Sequence, residues 1–214
     1  MRAGNDGGEP RAIGGVVLAA GASSRMGSNK ILLRLGGVTL LRRAVDAALV
    51  AGLDPVVVVL GREAELARAE ISDLPCRSVE NPDFASGIHT SLRAGIGALP
   101  PASSAAVVLL ADMPFVTAPM IWAVAQRHLR VGHSLVLSDY AGVQAPPTLY
   151  ARSLFPELLE ADSGCGKKIV ARHAAEAARV EWPAEVLADV DRPEDYERVR
   201  AELEAKKAEC APTS

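Results

Sequence analysis

Ile13-Gly-Gly-Val-Val-Leu-Ala-Ala-Gly-Ala-Ser-Ser-Arg-Met-Gly-Ser-Asn-Lys30 is the stretch on which the fold turns. Its first residues are apolar or glycine, the composition of a strand buried on both faces, as strands of parallel sheets are. From Leu18 the residues become small, and two cations follow, Arg25 and Lys30. A strand that runs into such a loop suits a nucleoside triphosphate. Gly21, Ala22, Ser23 and Ser24 leave room for backbone N–H groups to approach phosphate oxygens. Arg25 can grip those oxygens with its planar fork, and Lys30 as a point charge. The loop taken alone also reads as a plain glycine turn with solvated charges.

The spacing matches neither common phosphate motif. A P-loop needs G-x-x-x-x-G-K-[ST], whereas here Ser28 follows Gly27 and Ile31 follows Lys30. The dinucleotide fingerprint G-x-G-x-x-G is absent too, because Gly21 and Gly27 stand six apart.

Outward from this stretch, apolar runs alternate with helical patterns. After the strand Ile13–Ala19, Thr39–Ala51 places Leu40, Leu41, Ala44, Val45, Ala48 and Leu49 at helical spacing. Strands are expected at 55–60, 76–79, 105–110 and 134–137, and a late one at Val186–Val190. Helices are expected at 62–69, 87–99, 118–130, 152–160 and 167–178, with a final one at 193–206 that opens on Pro193. Ser138–Thr148, with two consecutive prolines, reads as a turn-rich stretch. This order predicts an α/β fold, a Rossmann-like doubly wound and mostly parallel sheet. In such sheets ligands sit at the carboxyl ends of the strands.

Composition narrows the function. The 214 residues suit one domain, expected at 11–206, with a loose polar leader at 1–10 and a frayed tail at 207–214. Hydrophobic residues make up 49%, enough for a full core, and aromatics only 4%, so aliphatic side chains must pack it. A net charge of −3 argues against a nucleic-acid partner. No apolar run approaches the ~20 residues of a membrane span, and the leader lacks the apolar core of a signal peptide. Cys76, Cys165 and Cys210 make neither a zinc spacing nor a disulfide framework, which fits a reduced cytoplasm. An exposed apolar helix face would be able to form a dimer.

Two acidic strand ends complete the candidate site. Ala111-Asp112-Met113-Pro114 follows an apolar run, so Asp112 points into the ligand crevice, where Mg²⁺ takes one or two carboxylates plus phosphate oxygens. The competing role is a helix cap, for which Thr117 is better placed. Asp189-Val-Asp191 sets two carboxylates on one face of the late strand. Asp191 reads equally as a metal ligand and as an N-cap ahead of Pro193. His89 and Cys165 read as a cap and a small packing residue, with substrate contact and thiol reactivity as alternatives. His128, His133 and His173 have no ligand spacing.

L-A-A-G-x-S-x-R-M-G-x-x-K, then A-D-M-P, then D-x-D-x-P-E-D, resembles the motif order of the MobA-like nucleotidyltransferases. The branch it most resembles contains the molybdenum cofactor cytidylyltransferases and a related purine-catabolism protein. Leu35-Gly-Gly37, Asn81-Pro-Asp-Phe-Ala-Ser-Gly87 and Ser91-Leu-Arg93-Ala-Gly95 extend the likeness, which runs from about Ile13 to Leu203. The resemblance implies a nucleotide-diphospho-sugar transferase fold. It implies nucleotide contacts from Leu18, Ala19, Ala20, Gly21, Ala22, Ser23, Ser24, Asn81 and Ser91, with Arg25 and Lys30 on the phosphates. It implies Mg²⁺ on Asp112 and Asp191, and catalysis carried by Arg25, Lys30 and Asp112. Leu18-Ala-Ala-Gly21, where the guanylyl branch tends to carry L-A-G-G, leans the base toward CTP. The implied reaction moves CMP or another NMP to a phosphorylated acceptor such as molybdopterin cofactor, releasing pyrophosphate.

The departures from the family cluster in the acceptor half. Phe84 stands where tryptophan is frequent, and His89 where a small residue is. Ala145-Pro-Pro147 replaces a glycine-histidine-proline element. Ala161-Asp-Ser-Gly-Cys-Gly-Lys167 displaces a cation by one position, and Arg192 replaces a threonine. One group of the family, nicotine blue oxidoreductase, is assigned NAD(P)H-dependent reduction of a pigment. NADH or NADPH is therefore the alternative cofactor. A third reading is a nucleotide-binding chaperone that hands cofactor to a molybdoenzyme.

Overall fold

In the computed structural model, which describes residues 12–21, 29–160 and 164–209, the chain runs β1 (Ile13–Ala19), β2 (Arg34–Leu35), β3 (Val38–Thr39), α1 (Leu40–Val50), β4 (Val56–Leu60), α2 (Ala64–Glu70), β5 (Arg77–Glu80), α3 (Ile88–Gly97), β6 (Ala105–Leu110), α4 (Ala118–Val131), β7 (Leu135–Tyr140), β8 (Val143–Ala151), α5 (Phe155–Glu160), α6 (Cys165–His173), β9 (Ala178–Trp182) and α7 (Pro193–Glu209). Seven strands form one sheet in the order β5-β4-β1-β6-β8-β7-β9, and β2 and β3 make a separate hairpin. β1 lies parallel between β4 and β6, with Val16 opposite both Val57 and Val108. β8 alone runs antiparallel to its neighbours β6 and β7, and β9 pairs parallel with β7. The mostly parallel α/β sheet expected from the alternating runs is the observed fold.

The central strands are continuously apolar because both faces are covered. Ile13, Val17 and Ala19 enter a core under α1, α2 and α4, while Val16, Leu18 and Ala20 enter a second core under α3, α5 and α6. α3 approaches the sheet closely at Gly95. A Cβ there would stand 2.3 Å from Val16 Cγ1 and 2.9 Å from Val59 Cγ2, so no larger residue fits without displacement.

A third, smaller core decides where the C-terminal part goes. Leu35 and Leu40 pack with Phe115, Ala188, Val190 and Val199 of α7. Tyr196 anchors α7 by donating from its hydroxyl to the Arg34 carbonyl at 2.8 Å. The 187–191 segment thereby reaches the end of β6, where the Val190 N–H donates to the Asp112 carbonyl at 3.1 Å.

Three expectations are corrected. Val186–Val190 is not a strand: a short 3₁₀ turn at Ala184–Val186 leads into an extended segment outside both sheets. Its apolar alternation arises because Ala188 and Val190 bury themselves in the third core. Ser138–Thr148 is not an open turn region, since β7 continues to Tyr140 and β8 begins at Val143. The ladder shifts register between Val136 and Ser138, beside Pro146 and Pro147. Ser138 Oγ donates to the Pro147 carbonyl and Tyr140 OH to that of Pro146, both at 2.7 Å. These two hydroxyls serve carbonyls at a place where proline has no N–H to give the ladder. Finally, the helix expected to reach Ala178 ends at His173, and Ala178-Arg-Val-Glu-Trp182 is the edge strand β9. Its alternation of inward and exposed residues is a strand signal, and residues 179–182 lay outside every expected element.

Candidate functional site

The carboxyl ends of β1 and β6, the short turn Lys30–Leu32 and the start of α3 enclose a cleft of about 340 Å³. Leu18, Ala19, Ala20, Gly21, Lys30, Ser91 and Asp112 all reach its walls. Lys30 is placed by its neighbour. Asn29 is buried and donates from its side-chain amide to the Arg62 carbonyl at 3.0 Å, fixing the chain after the loop against the turn after β4. That positioning role was missed in the sequence, where Asn29 was one undistinguished letter of the loop.

Lys30 is 9% exposed and holds two carboxylates. Its Nζ lies 2.5 Å from Asp112 Oδ2 and 2.6 Å from Asp191 Oδ1. Burial acts to lower its pKa. The charge of Asp112 and the hydrogen bonds to both carboxylates outweigh burial and raise it above the ordinary lysine value, so the ammonium is firmly charged. The trio carries one net negative charge.

The two capping alternatives are resolved by these contacts. Thr117 occupies the N-cap position of α4, and Asp112 turns to Lys30 instead. The start of α7 is served by Asp195, whose carboxylate accepts from the N–H groups of Asp191 and Arg192 at 3.3 and 3.0 Å. The Asp191 carboxylate is thus directed at Lys30.

Asn81 is buried and fully engaged within the chain. Its Nδ2 donates to Thr90 Oγ1 at 2.8 Å and to Ser91 Oγ at 2.9 Å, and its Oδ1 accepts from the Asp83 N–H at 3.0 Å. It ties the loop after β5 to the first turn of α3, which orients that helix toward the cleft. Ser91 accepts from Asn81 in the wall of the cleft. Gly61 permits a close approach beneath it, for a Cβ there would stand 2.8 Å from the Ala20 carbonyl and 2.9 Å from Phe84 Cγ. Among the described residues nothing stands within 4 Å of a Cβ placed at Gly21. Ala22, Ser23, Ser24 and Arg25 lie outside the described residues, as does the side chain of Cys165.

The donor set suits a hard divalent cation. Asp112 and Asp191 offer carboxylate oxygens no further apart than the sum of their two distances to one ammonium. Among the described residues no group of three or more His, Cys, Asp or Glu could hold a metal. An ion here would complete its shell with phosphate oxygens and water, as Mg²⁺ commonly does. Among the described residues no helix is long and apolar enough to cross a membrane.

Residues 15–180 match the MobA-like NTP transferase domain. The chain belongs to that family. Among MobA-like relatives it is 29% identical over 198 residues to a probable molybdenum cofactor guanylyltransferase from Opitutus terrae, covering 88% of this chain and 95% of that protein. It is 44% identical over 82 residues to nicotine blue oxidoreductase from Paenarthrobacter nicotinovorans, a stretch covering 38% of this chain and 40% of that relative. Rv0371c from Mycobacterium tuberculosis, solved by crystallography, superposes with a TM-score of 0.76 at 30% identity over 89% of this chain and 98% of that one. The same protein in complex with manganese gives 0.73 at 28% identity, again over 89% and 98%. A nucleotidyl transferase from Methanothermobacter shares the fold, with a TM-score of 0.79 at 24% identity over 92% and 100%. The MobA-like resemblance read from the motifs is therefore correct, and so is the nucleotide-diphospho-sugar transferase type of sheet.

Proposed function

We propose that this chain is a divalent-metal-dependent nucleotidyltransferase. It moves CMP, or another NMP, from a nucleoside triphosphate to a phosphorylated acceptor, with molybdopterin cofactor as the acceptor the family points to. The observation that carries this reading is the Lys30–Asp112–Asp191 trio at the mouth of the β1–β6 cleft. An acceptor phosphate oxygen attacks the α-phosphorus in line, the bond from that phosphorus to the bridging oxygen of the β-phosphate breaks, and pyrophosphate leaves. The attacking oxygen is already anionic, so no protein base is needed, and the chain's task is positioning and charge stabilisation. Asp112 and Asp191 would hold a divalent ion, Mg²⁺ or Mn²⁺, which neutralises phosphate charge when bound. Lys30 supplies a permanent cation to the leaving pyrophosphate, together with Arg25 from the adjoining loop. The backbone of Leu18–Ser24 cradles the triphosphate, and Ser91 approaches the nucleotide from α3.

The partial match to nicotine blue oxidoreductase supports a second reading, reduction of an acceptor by NADH or NADPH. One experiment separates the two. Purified protein is incubated with CTP, GTP or ATP, Mg²⁺ or Mn²⁺, and molybdopterin cofactor, and pyrophosphate is measured. The transferase reading expects release that needs the metal and falls at least a hundredfold in Asp112→Ala. Metal-independent oxidation of NADPH, with thermal stabilisation by NADPH and by none of the triphosphates, would overturn it.

A further inference from the structure

The turn that follows β4 touches both ends of the segment 21–28. At its entrance, Gly61 lies so close to Ala20 that a Cβ on Gly61 would stand 2.8 Å from the Ala20 carbonyl oxygen. At its exit, the buried Asn29 donates from Nδ2 to the carbonyl of Arg62, the next residue of the turn, at 3.0 Å. The Leu60 carbonyl, just before the turn, accepts from the Asn81 N–H at 2.8 Å. Three pieces of the cleft's surround therefore rest on residues 60–62. Among the described residues that line the cleft, none belongs to 60–63. Glu63 completes the turn at φ 54° and ψ 41°, the left-handed region that favours glycine. Its side chain is exposed and makes no capping hydrogen bond to α2, so it offers no compensation for that backbone cost.

The Asn29 hydrogen bond and the Glu63 angle belong to one peptide plane. The Arg62 carbonyl that Asn29 holds lies in the plane whose rotation sets φ of Glu63. Turning that plane over would return Glu63 to negative φ and carry the carbonyl away from Asn29. Sparsely populated angles persist where surrounding contacts over-determine them, and the buried amide of Asn29 is such a contact. We propose that the Arg62–Glu63 peptide is a brace that sets Lys30 for the β- and γ-phosphates of a triphosphate, with Asn29 and Glu63 as positioning residues. The proposal rests on the transferase reading above and adds to it a source of selectivity for triphosphate over monophosphate. Lys30 directly follows Asn29, so any shift of Asn29 is passed to it through one peptide bond. Its Nζ sits at 2.5 and 2.6 Å from Asp112 and Asp191, which leaves no slack. A misplacement of about 1 Å is enough to spoil such an arrangement. CMP carries only the phosphate next to the nucleoside, so its binding does not draw on Lys30 in this role.

The test titrates CTP and CMP calorimetrically, each with Mg²⁺, into the full chain and its variants. Asn29→Ala is expected to weaken CTP about tenfold and CMP less than about twofold. Glu63 is exposed, so variants there act on the plane without opening the core. Valine resists the left-handed region more than glutamate does, and glycine accepts it freely. Glu63→Val should therefore weaken CTP about threefold, and Glu63→Gly added to Asn29→Ala should recover about threefold of the lost affinity. Both changes remove the same charge, so charge alone does not give them opposite signs. A second readout needs no nucleotide. Acetylation by acetic anhydride, followed by mass spectrometry, should modify Lys30 about fivefold faster in Asn29→Ala and in Glu63→Val than in wild type, with the exposed Lys167 as internal standard. If Asn29→Ala does not fold, Glu63→Val carries both readouts. Equal changes for CTP and CMP overturn the brace, as do Lys30 labelling that neither variant alters and a double variant that recovers nothing. Those contacts would then only hold the start of α2. Wild type that binds no triphosphate, with Lys30 labelling still responding to the variants, removes the transferase reading and leaves the brace standing. Neither response removes both.

Discussion

Lys30 and Asp112, 82 residues apart in the chain, meet at 2.5 Å at the end of the central strand pair. Asp191 joins them from the far end of the chain at 2.6 Å. A divalent ion held by those same two carboxylates would take up oxygens that the ammonium now occupies. Ammonium and metal therefore compete for the same oxygens, and the phosphates of an incoming triphosphate are the natural alternative partner for Lys30. In Lys30→Met the competition is gone. Mn²⁺ should bind the nucleotide-free variant roughly ten times more tightly than wild type, a difference of about 1.4 kcal/mol. Electron paramagnetic resonance of free Mn²⁺ measures it. The same variant leaves two carboxylates facing each other. It should lose about 2 kcal/mol of stability, less than a fully buried pair would because Asp191 is 40% exposed. Equal Mn²⁺ affinity in the two proteins would refute the competition.

The trio also sets an alkaline limit. Because the folded-state pKa of Lys30 lies above the ordinary 10.5, its stabilisation is complete below 10.5 and is lost as pH rises through the higher folded value. The stability difference between wild type and Lys30→Met should stay flat from about pH 7 to about pH 10 and shrink above that. Urea denaturation at stepped pH reads this directly. A difference that shrinks between pH 7 and 9 would show that Lys30 is deprotonating early.

Arg42 of α1 forks Asp73, with Nη1–Oδ1 at 2.7 Å and Nη2–Oδ2 at 2.6 Å. Those hydrogen bonds hold the Asp73 carboxyl at a pKa of about 2 instead of 3.8. Its contribution is present above 3.8 and is lost as pH falls toward 2. Carbon-13 titration of the Asp73 carboxyl should show the low midpoint in wild type and a return toward 3.8 in Arg42→Met. An unchanged midpoint in the variant would assign the shift to the backbone.

Much of this architecture was legible before any coordinates, for a physical reason. The core strands Val56–Leu60 and Ala105–Leu110 are buried on both faces, so hydropathy alone marks them. Asp112 was legible as a carboxylate at the end of such a run. What hid was whatever depended on contacts between distant segments. Val186–Val190 alternates like a strand, yet its partners are Leu35, Leu40, Phe115 and Val199 rather than a ladder. The prolines of β8 looked like strand breakers, and nothing local reveals that Ser138 and Tyr140 serve their carbonyls. The motif order brought Lys30, Asp112 and Asp191 to one site, but not the fact that the lysine grips both acids.

Gly95 offers a paired test of how α3 is seated. Gly95→Ala gains helix propensity of up to about 1 kcal/mol. It also sets a methyl 2.3 Å from Val16 Cγ1, and such overpacking costs about 1–3 kcal/mol. The net should be a loss of about 1 kcal/mol, with weaker CTP binding because the helix start moves away from the cleft. Gly97→Ala is the control. Among the described residues its methyl would meet only Leu159 Cδ2, at an ordinary 3.6 Å, so a few tenths of a kcal/mol of stabilisation, ~0.5, is expected. Chemical denaturation and calorimetric titration of CTP separate the two. Equal stabilisation by both alanines would mean that α3 rides higher on the sheet than the Val16 contact requires.

Tyr140 tests the strand that the prolines concealed. Its hydroxyl donates to the Pro146 carbonyl at 2.7 Å from a side chain that is buried at the end of β7. Tyr140→Phe keeps the ring and strands that carbonyl, which should cost about 1–2 kcal/mol. Ser138→Ala does the same to Pro147, at a similar cost of about 1–2 kcal/mol. The double variant should cost less than the two single losses together, because both hydroxyls pin the same segment of β8 and the first loss already loosens it. Strict additivity in urea denaturation would show that the two bonds hold β8 independently.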